Sequence, residues 1–69
     1  MNLTQYRQRV PLSINELARM ARVDDQTIRN AEEGKRISTR VARQIAEALS
    51  EALGQTIRAT EIEGLNIRL

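Results

Sequence analysis

Residues 12–35 read LSINELARMARVDDQTIRNAEEGK, and the fold turns on how this stretch is parsed. Ser13 followed by Glu16 is a Ser-x-x-Glu capping box, in which the hydroxyl takes a helix amide and the carboxylate reaches back to the cap's own amide. It opens a helix whose inward positions are Leu17, Ala18 and Ala21. Arg22-Val23-Asp24 interrupts that pattern. Asp24 is suited to cap a further helix, beginning at about Asp25, with Ile28 and Ala31 inward. Gly34 stops it, since glycine accepts the left-handed conformation that follows a helix end. Lys35 and Arg36, just beyond, compensate the negative end of the helix dipole.

Two helices of about ten residues joined by a three-residue turn do not make a core of their own. They must cross steeply and be backed by other helices, and Ala18 and Ala21 are small enough to permit a close crossing. The flanks supply the backing. Upstream, Leu3, Tyr6 and Val10 recur at helical spacing, with Asn2 or Thr4 as cap. Pro11 ends that segment and pushes Val10 toward an extended conformation. Downstream, Ser38 or Thr39 begins a helix that carries Val41, Ala42, Ile45, Ala46 and Leu49 inward, runs to about Leu53 and closes at Gly54. Thr60, before Glu61 and Ile62, is placed to cap one more short helical turn. From Gly64 to Leu69 the alternation of Leu65, Ile67 and Leu69 with Asn66 and Arg68 reads as a short strand. The expectation is a single all-α domain over residues 1–69, with four to five short helices and a short C-terminal β-strand. No internal repeat, low-complexity segment or linker interrupts it.

Composition narrows the function. A chain of 69 residues buries only about 60% of its unfolded surface, so it is marginal unless well packed or oligomeric. Its hydrophobic content of 41% is that of a globular domain. No apolar run is long enough for a membrane span, and residues 1–9 are too polar for a signal peptide, so a cytoplasmic protein is expected. Without cysteine there are no disulfides or thiolate metal sites. Without histidine the commonest general base and metal ligand is absent. Nothing in the pattern points to a pair of buried carboxylates, a phosphate loop or a pocket, so neither an enzyme nor a metal, cofactor or small-molecule site is expected. The net charge is only +2, but all but one of the 11 cations is arginine, the exception being Lys35. Arginine forks bidentately onto phosphates and guanine edges, which makes nucleic acid a candidate partner.

The pattern resembles the phage-repressor (Cro/Xre-like) helix-turn-helix family. The resemblance rests on Leu12-Ser13-Ile14-Asn15-Glu16-Leu17-Ala18, Ala21-x-Val23, Thr27-Ile28, Glu32-x-Gly34-Lys35 and Ile45-Ala46-x-Ala48-Leu49. It covers about Leu3 to Leu49, or to Ile62 if the last helix is included, with the helix-turn-helix over about 13–34. It implies a lambda-repressor-like domain that reads duplex DNA, placing the front of the helix at about 25–33 in the major groove. The implied function is transcriptional regulation, by a repressor occluding a promoter, in a bacterial or phage setting and on the nucleoid when bound.

Roles follow from the resemblance position by position. Arg7 and Glu32 correspond to an internal ion pair that ties the first helix to the recognition helix. The base-reading positions are Asp25, Gln26, Arg29 and Asn30, beside Asp24. Gln26 and Asn30 lie one turn apart on one face, and such amides suit adenine, whereas Arg29 suits guanine or a phosphate. The phosphate-binding positions are Ser13, Asn15, Thr27, Lys35, Arg36 and Arg40; Thr27 also suits a thymine methyl. Arg19 and Arg22 read as surface charges.

Three departures matter. Arg22 stands where the family usually has glycine, which costs on the order of 1 kcal/mol if the residue is left-handed. Ile14 takes a position that is commonly polar and near DNA, and offers packing or a partner surface instead. Asp24 and Asp25 set two carboxylates at the groove end. Asp25 can accept from cytosine N4 but also repels phosphate. These acidic residues and Ile14 favour an alternative, a protein-interaction module on the same scaffold, antitoxin-like or an adaptor. One module reads few base pairs, so a homodimer on two half-sites about 34 Å apart is expected. Its natural surface is the tail, about 55–69, where Leu65, Ile67 and Leu69 could pair strand to strand across a two-fold axis.

Overall fold

The computed structural model describes residues 1–68, and in it Asn2, Ser13 and Ser38 each cap a helix. Helix α1, Leu3–Arg9, is capped by Asn2, whose side chain accepts from the Gln5 amide at 2.8 Å while Gln5 Oε1 accepts from the Asn2 amide at 2.9 Å. Helix α2, Ile14–Ala21, opens on the reciprocal box of Ser13 and Glu16. Helix α3 is Asp25–Glu32, and Gly34 after it sits at φ +79. Helix α4, Thr39–Leu53, is capped by Ser38, whose hydroxyl oxygen accepts from the Val41 amide at 3.1 Å. The chain is thus an all-α helix-turn-helix architecture with a short C-terminal strand, as expected.

Between α2 and α3 the backbone turns on Arg22, which is left-handed at φ 60, ψ 42. Its amide donates back to the Ala18 and Arg19 carbonyls, and the Val23 amide reaches the Ala18 carbonyl at 2.9 Å. Such a left-handed closure tightens a helix end and sends the next helix off across it. The position thus needs the conformation glycine favours, and Arg22 bears the penalty.

The core draws on all four helices. Leu3, Leu17, Ile28, Ile45 and Leu49 are fully buried. Between them lie Ala18, Ala21, Ala31, Ala42, Ala46 and Ala48, small side chains that let helix axes approach. Tyr6, Leu12, Ile14, Val23 and Val41 pack against this centre from partly exposed positions. Ile14 therefore takes the packing role rather than forming a fully exposed partner surface.

Several local expectations change. Val10 is not extended before Pro11; it stays right-handed at φ −63, ψ −49, and the Val10–Pro11 bond is cis. The Leu12 amide donating to the Arg7 carbonyl at 2.8 Å keeps the chain wound there. The last helical turn is a 3-10 turn over Ala59–Glu61, entered at Arg58, so Thr60 lies inside it rather than capping it. Its place is set by buried Ile57 and Ile62 on either side, and by Ser50, whose hydroxyl oxygen accepts from the Ile57 amide at 2.8 Å. A strand that the pattern does not announce, β1, Arg36–Ser38, precedes α4. It pairs in parallel with β2, Asn66–Arg68. The C-terminal strand therefore has a partner within its own chain, and Leu65 and Ile67 pack against the core. Leu69, the third apolar residue assigned to a dimer contact, lies outside the described residues.

Arg22→Gly should relieve the left-handed penalty and stabilise the fold by about 1 kcal/mol, the reverse of glycine's usual effect within a helix. For a domain this small that is a rise of roughly 4–8 °C in Tm, read by circular dichroism. A fall in Tm would mean that the arginine side chain outweighs its backbone cost.

Candidate nucleic-acid interface

The front of α3 stands clear of the body. Gln26 and Arg29 are exposed and Asn30 is half-buried. One helical turn sets Gln26 and Asn30 side by side, and Gln26 Nε2 donates to Asn30 Oδ1 at 3.0 Å. The bond couples the two amides near the front of the helix and leaves hydrogens and a carbonyl oxygen over for a ligand.

Asp25 is tied sideways. Its two carboxylate oxygens accept from Asn15 Nδ2 at 3.2 and 3.3 Å, and Asn15 Oδ1 in turn accepts from Arg19 Nη2 at 2.9 Å. This chain links α2 to the first residue of α3. It brings a guanidinium's field toward the Asp25 carboxylate and offsets part of the repulsion a phosphate would meet there. It also spends donor capacity of Asn15, a predicted phosphate contact, on Asp25. Arg19, read from the sequence as a surface charge, is thereby tied into the hydrogen-bonded chain that reaches the first residue of α3. Only its (i, i+4) spacing from Asn15 hinted at that.

Asp24 occupies the cap position of α3 with an extended backbone, φ −86 and ψ 164, but its side chain makes no cap hydrogen bond to the helix. Instead the Thr27 hydroxyl donates to Asp24 Oδ1 at 2.6 Å. The expectation of an ordinary side-chain cap is corrected accordingly: the neighbouring hydroxyl competes successfully for the carboxylate. That bond holds the Asp24 carboxyl below its usual range. Thr27 has its proton committed to Asp24, so it has only its oxygen lone pairs and methyl group to offer DNA.

The other predicted phosphate contacts lie at the start of α2 and on the segment that follows α3. Ser13 is exposed at the front of α2, its oxygen accepting from the Glu16 amide at 3.1 Å. Its amide donates to Glu16 and holds that carboxyl below the usual range. Lys35 is exposed and meets Glu33 at 3.3 Å. Arg36 on β1 and Arg40 in the first turn of α4 are both exposed. These cations all lie along the chain segment that leaves α3.

The tilt of α3 on the body is set at its other end. Arg7 Nε donates to Glu32 Oε2 at 2.6 Å, with the two side chains only 16% and 13% exposed. Arg7 Nη1 also donates to the Leu12 carbonyl at 2.9 Å, and the Thr4 hydroxyl to Glu32 Oε1 at 3.1 Å. Two residues of α1 therefore grip the last residue of α3, and the chain beyond α1 holds Arg7 in turn.

A helix-turn-helix family model matches residues 3–55, from the start of α1 to just past α4. The chain belongs to the Cro/C1-type helix-turn-helix family. This is a family of DNA-binding transcription regulators and not typically of enzymes. No curated protein and no solved structure matches the chain. Among the described residues no helix is long and apolar enough to cross a membrane, and no group of His, Cys, Asp and Glu is placed to hold a metal ion. The 3-10 turn and β2 lie beyond the family match.

Two outcomes follow from this geometry. Arg7→Ala should destabilise the domain by about 3 kcal/mol, because Glu32 is left charged and nearly buried without its partner. The double change Arg7→Met with Glu32→Leu should cost much less than Arg7→Ala alone in chemical denaturation; strict additivity would show that the pair does not act as a unit. For Asp24, a depressed carboxyl contributes stability above its ordinary range and loses it as pH falls through the lowered value. In Thr27→Val its titration, followed by carboxyl 13C shifts, should move up toward the usual range. An unchanged midpoint would remove Thr27 as the cause.

Proposed function

We propose that the protein is a sequence-specific double-stranded DNA-binding regulator of transcription, acting as a repressor that occludes a promoter from a cytoplasmic, nucleoid-bound position. The observation that carries this reading is the hydrogen-bonded amide pair of exposed Gln26 and half-buried Asn30 on a helix whose far end is fixed by Arg7 and Glu32. A rigid helix front with convergent amides suits base edges in a major groove. Gln26 and Asn30 would take adenine, Arg29 a guanine or a phosphate, and Asp25 a cytosine N4 amino group. Ser13, Asn15, Lys35, Arg36 and Arg40 would hold the sugar-phosphate backbone, with Thr27 beside them.

We also propose a homodimer on two half-sites. With Leu65 and Ile67 packed against their own core, the contact with a second copy would run through the outer edge of β2. A two-stranded sheet has unpaired amides and carbonyls there. A second reading is an antitoxin-like or adaptor module that binds protein through the same face. The two carboxylates of Asp24 and Asp25 at the front of α3 favour it, because they oppose phosphate.

Site selection from random duplexes separates the two, since a DNA reader should enrich a palindrome. On the selected site Gln26→Ala and Asn30→Ala should each reduce discrimination against other sequences by roughly 1–3 kcal/mol. Arg36→Ala should weaken all duplexes alike and lower the salt slope by about one unit. Equal losses on selected and random DNA for Gln26→Ala would remove that face as the base reader, and no enriched site would favour the adaptor.

A further inference from the structure

Strand β2 lies outside the stretch that the family shares, yet its register brings a cation to the segment that follows the recognition helix. The ladder pairs Arg36 with Asn66, Ile37 with Ile67 and Ser38 with Arg68. Paired residues in a sheet share a face, and successive residues alternate between faces. Ile37 is buried and Ile67 half-buried, so these two face the core. Arg36, Ser38, Asn66 and Arg68 are all exposed and make up the opposite face.

Main-chain and side-chain contacts fix this face in place at both ends. Asn66 Nδ2 donates to the Gly34 carbonyl at 3.4 Å, where α3 stops. The Thr39 hydroxyl donates to the Arg68 carbonyl at 3.0 Å, where α4 starts. Arg68 is thus held beside the segment that carries Lys35, Arg36 and Arg40. No Asp or Glu occurs from Lys35 to Ala46, or from Gly64 onward, so no acidic residue of either strand offsets these charges. An exposed, acid-free, cationic sheet face that continues from the end of the groove-reading helix is complementary to a phosphodiester backbone.

We propose that Arg68 is a DNA-contacting residue: the outer face of β1 and β2 grips backbone phosphates of the duplex whose groove α3 occupies, making the C-terminal strand part of the clamp. This rests on the DNA-binding reading above and adds a contact that the helix-turn-helix core does not supply. The contact is with phosphate, so it contributes affinity without sequence preference.

The test uses the full chain and short mixed-sequence duplexes, with binding followed by fluorescence anisotropy over a series of salt concentrations. For the wild type, log K should fall linearly with log salt. Arg68→Ala should bind every duplex more weakly, with a slope shallower by about 0.9, the loss of one neutralised phosphate. Its deficit should therefore shrink by about 3.5-fold between 50 and 200 mM salt. Arg68→Lys should restore the slope, since a point charge suffices for a phosphate. A melting curve on each variant checks that the strand stays docked, which the main-chain ladder and Ile67 should ensure. A wild-type slope with Arg68→Ala unchanged overturns the inference and leaves the DNA-binding reading standing. An unchanged slope with an altered sedimentation coefficient also overturns it, assigning the strand to pairing between copies. A wild type that binds no duplex in a salt-dependent way overturns both.

Discussion

The contact between Arg7 and Glu32 is the one on which the exposed helix depends. Helix α3 is eight residues long, too short to persist in water by its own hydrogen bonds. Of its residues Ile28 and Ala31 enter the core and Glu32 is taken up by α1, which leaves exposed Gln26 and Arg29 for other uses. A helix so placed must be fixed by its ends. At the front, the left-handed turn at Arg22 and the contacts of Asp24 and Asp25 orient it. At the back, Glu32 is held by Arg7 and Thr4, and Arg7 is in turn anchored on the Leu12 carbonyl. The carboxylate and guanidinium are almost out of water, so the pair holds its geometry through its full set of hydrogen bonds rather than through charge alone.

The rest of the fold is economical for the same reason. The chain has one aromatic residue, Tyr6, and builds its centre from five fully buried aliphatic side chains with alanines between them. Alanine contributes little apolar area but lets helices pack closely, which gives a dense core from few residues. The parallel pairing of β1 and β2 then draws the last part of the chain onto the turn after α3. That contact buries Ile37 and supports Ile67, and it braces the segment carrying Lys35 and Arg36. Packing and presentation of the cations are thus one arrangement: the apolar face of the small sheet closes the core, and its other face is left to the solvent and to any partner.

Much of this was legible in the chain itself. The box at Ser13, the stop at Gly34 and the periodicity from Val41 to Leu49 announce their helices because each signal is local and has one physical meaning, whereas the first helix left Asn2 and Thr4 both open as caps. The pair of Arg7 and Glu32 was legible only through the family resemblance, since nothing in a spacing of 25 residues implies contact. Strand β1 was not legible: three residues, one of them apolar, carry no periodicity, and the strand exists because β2 supplies its partner. Asp24 looked like an ordinary cap because propensity ignores competition, and here the Thr27 hydroxyl captures the carboxylate. The sideways hold on Asp25 was hidden for a related reason, as it depends on how α2 and α3 cross rather than on either helix alone.

The central claim is that the amide pair at the front of α3 meets base edges. The most direct measurement is a titration of a selected duplex into 15N-labelled protein, following the side-chain amide resonances. The account predicts that the Gln26 and Asn30 side-chain NH2 signals shift furthest and become protected from solvent exchange, together with backbone amides along the front of α3. Shifts concentrated elsewhere on the molecule, with those two side chains unmoved at saturation, would contradict it.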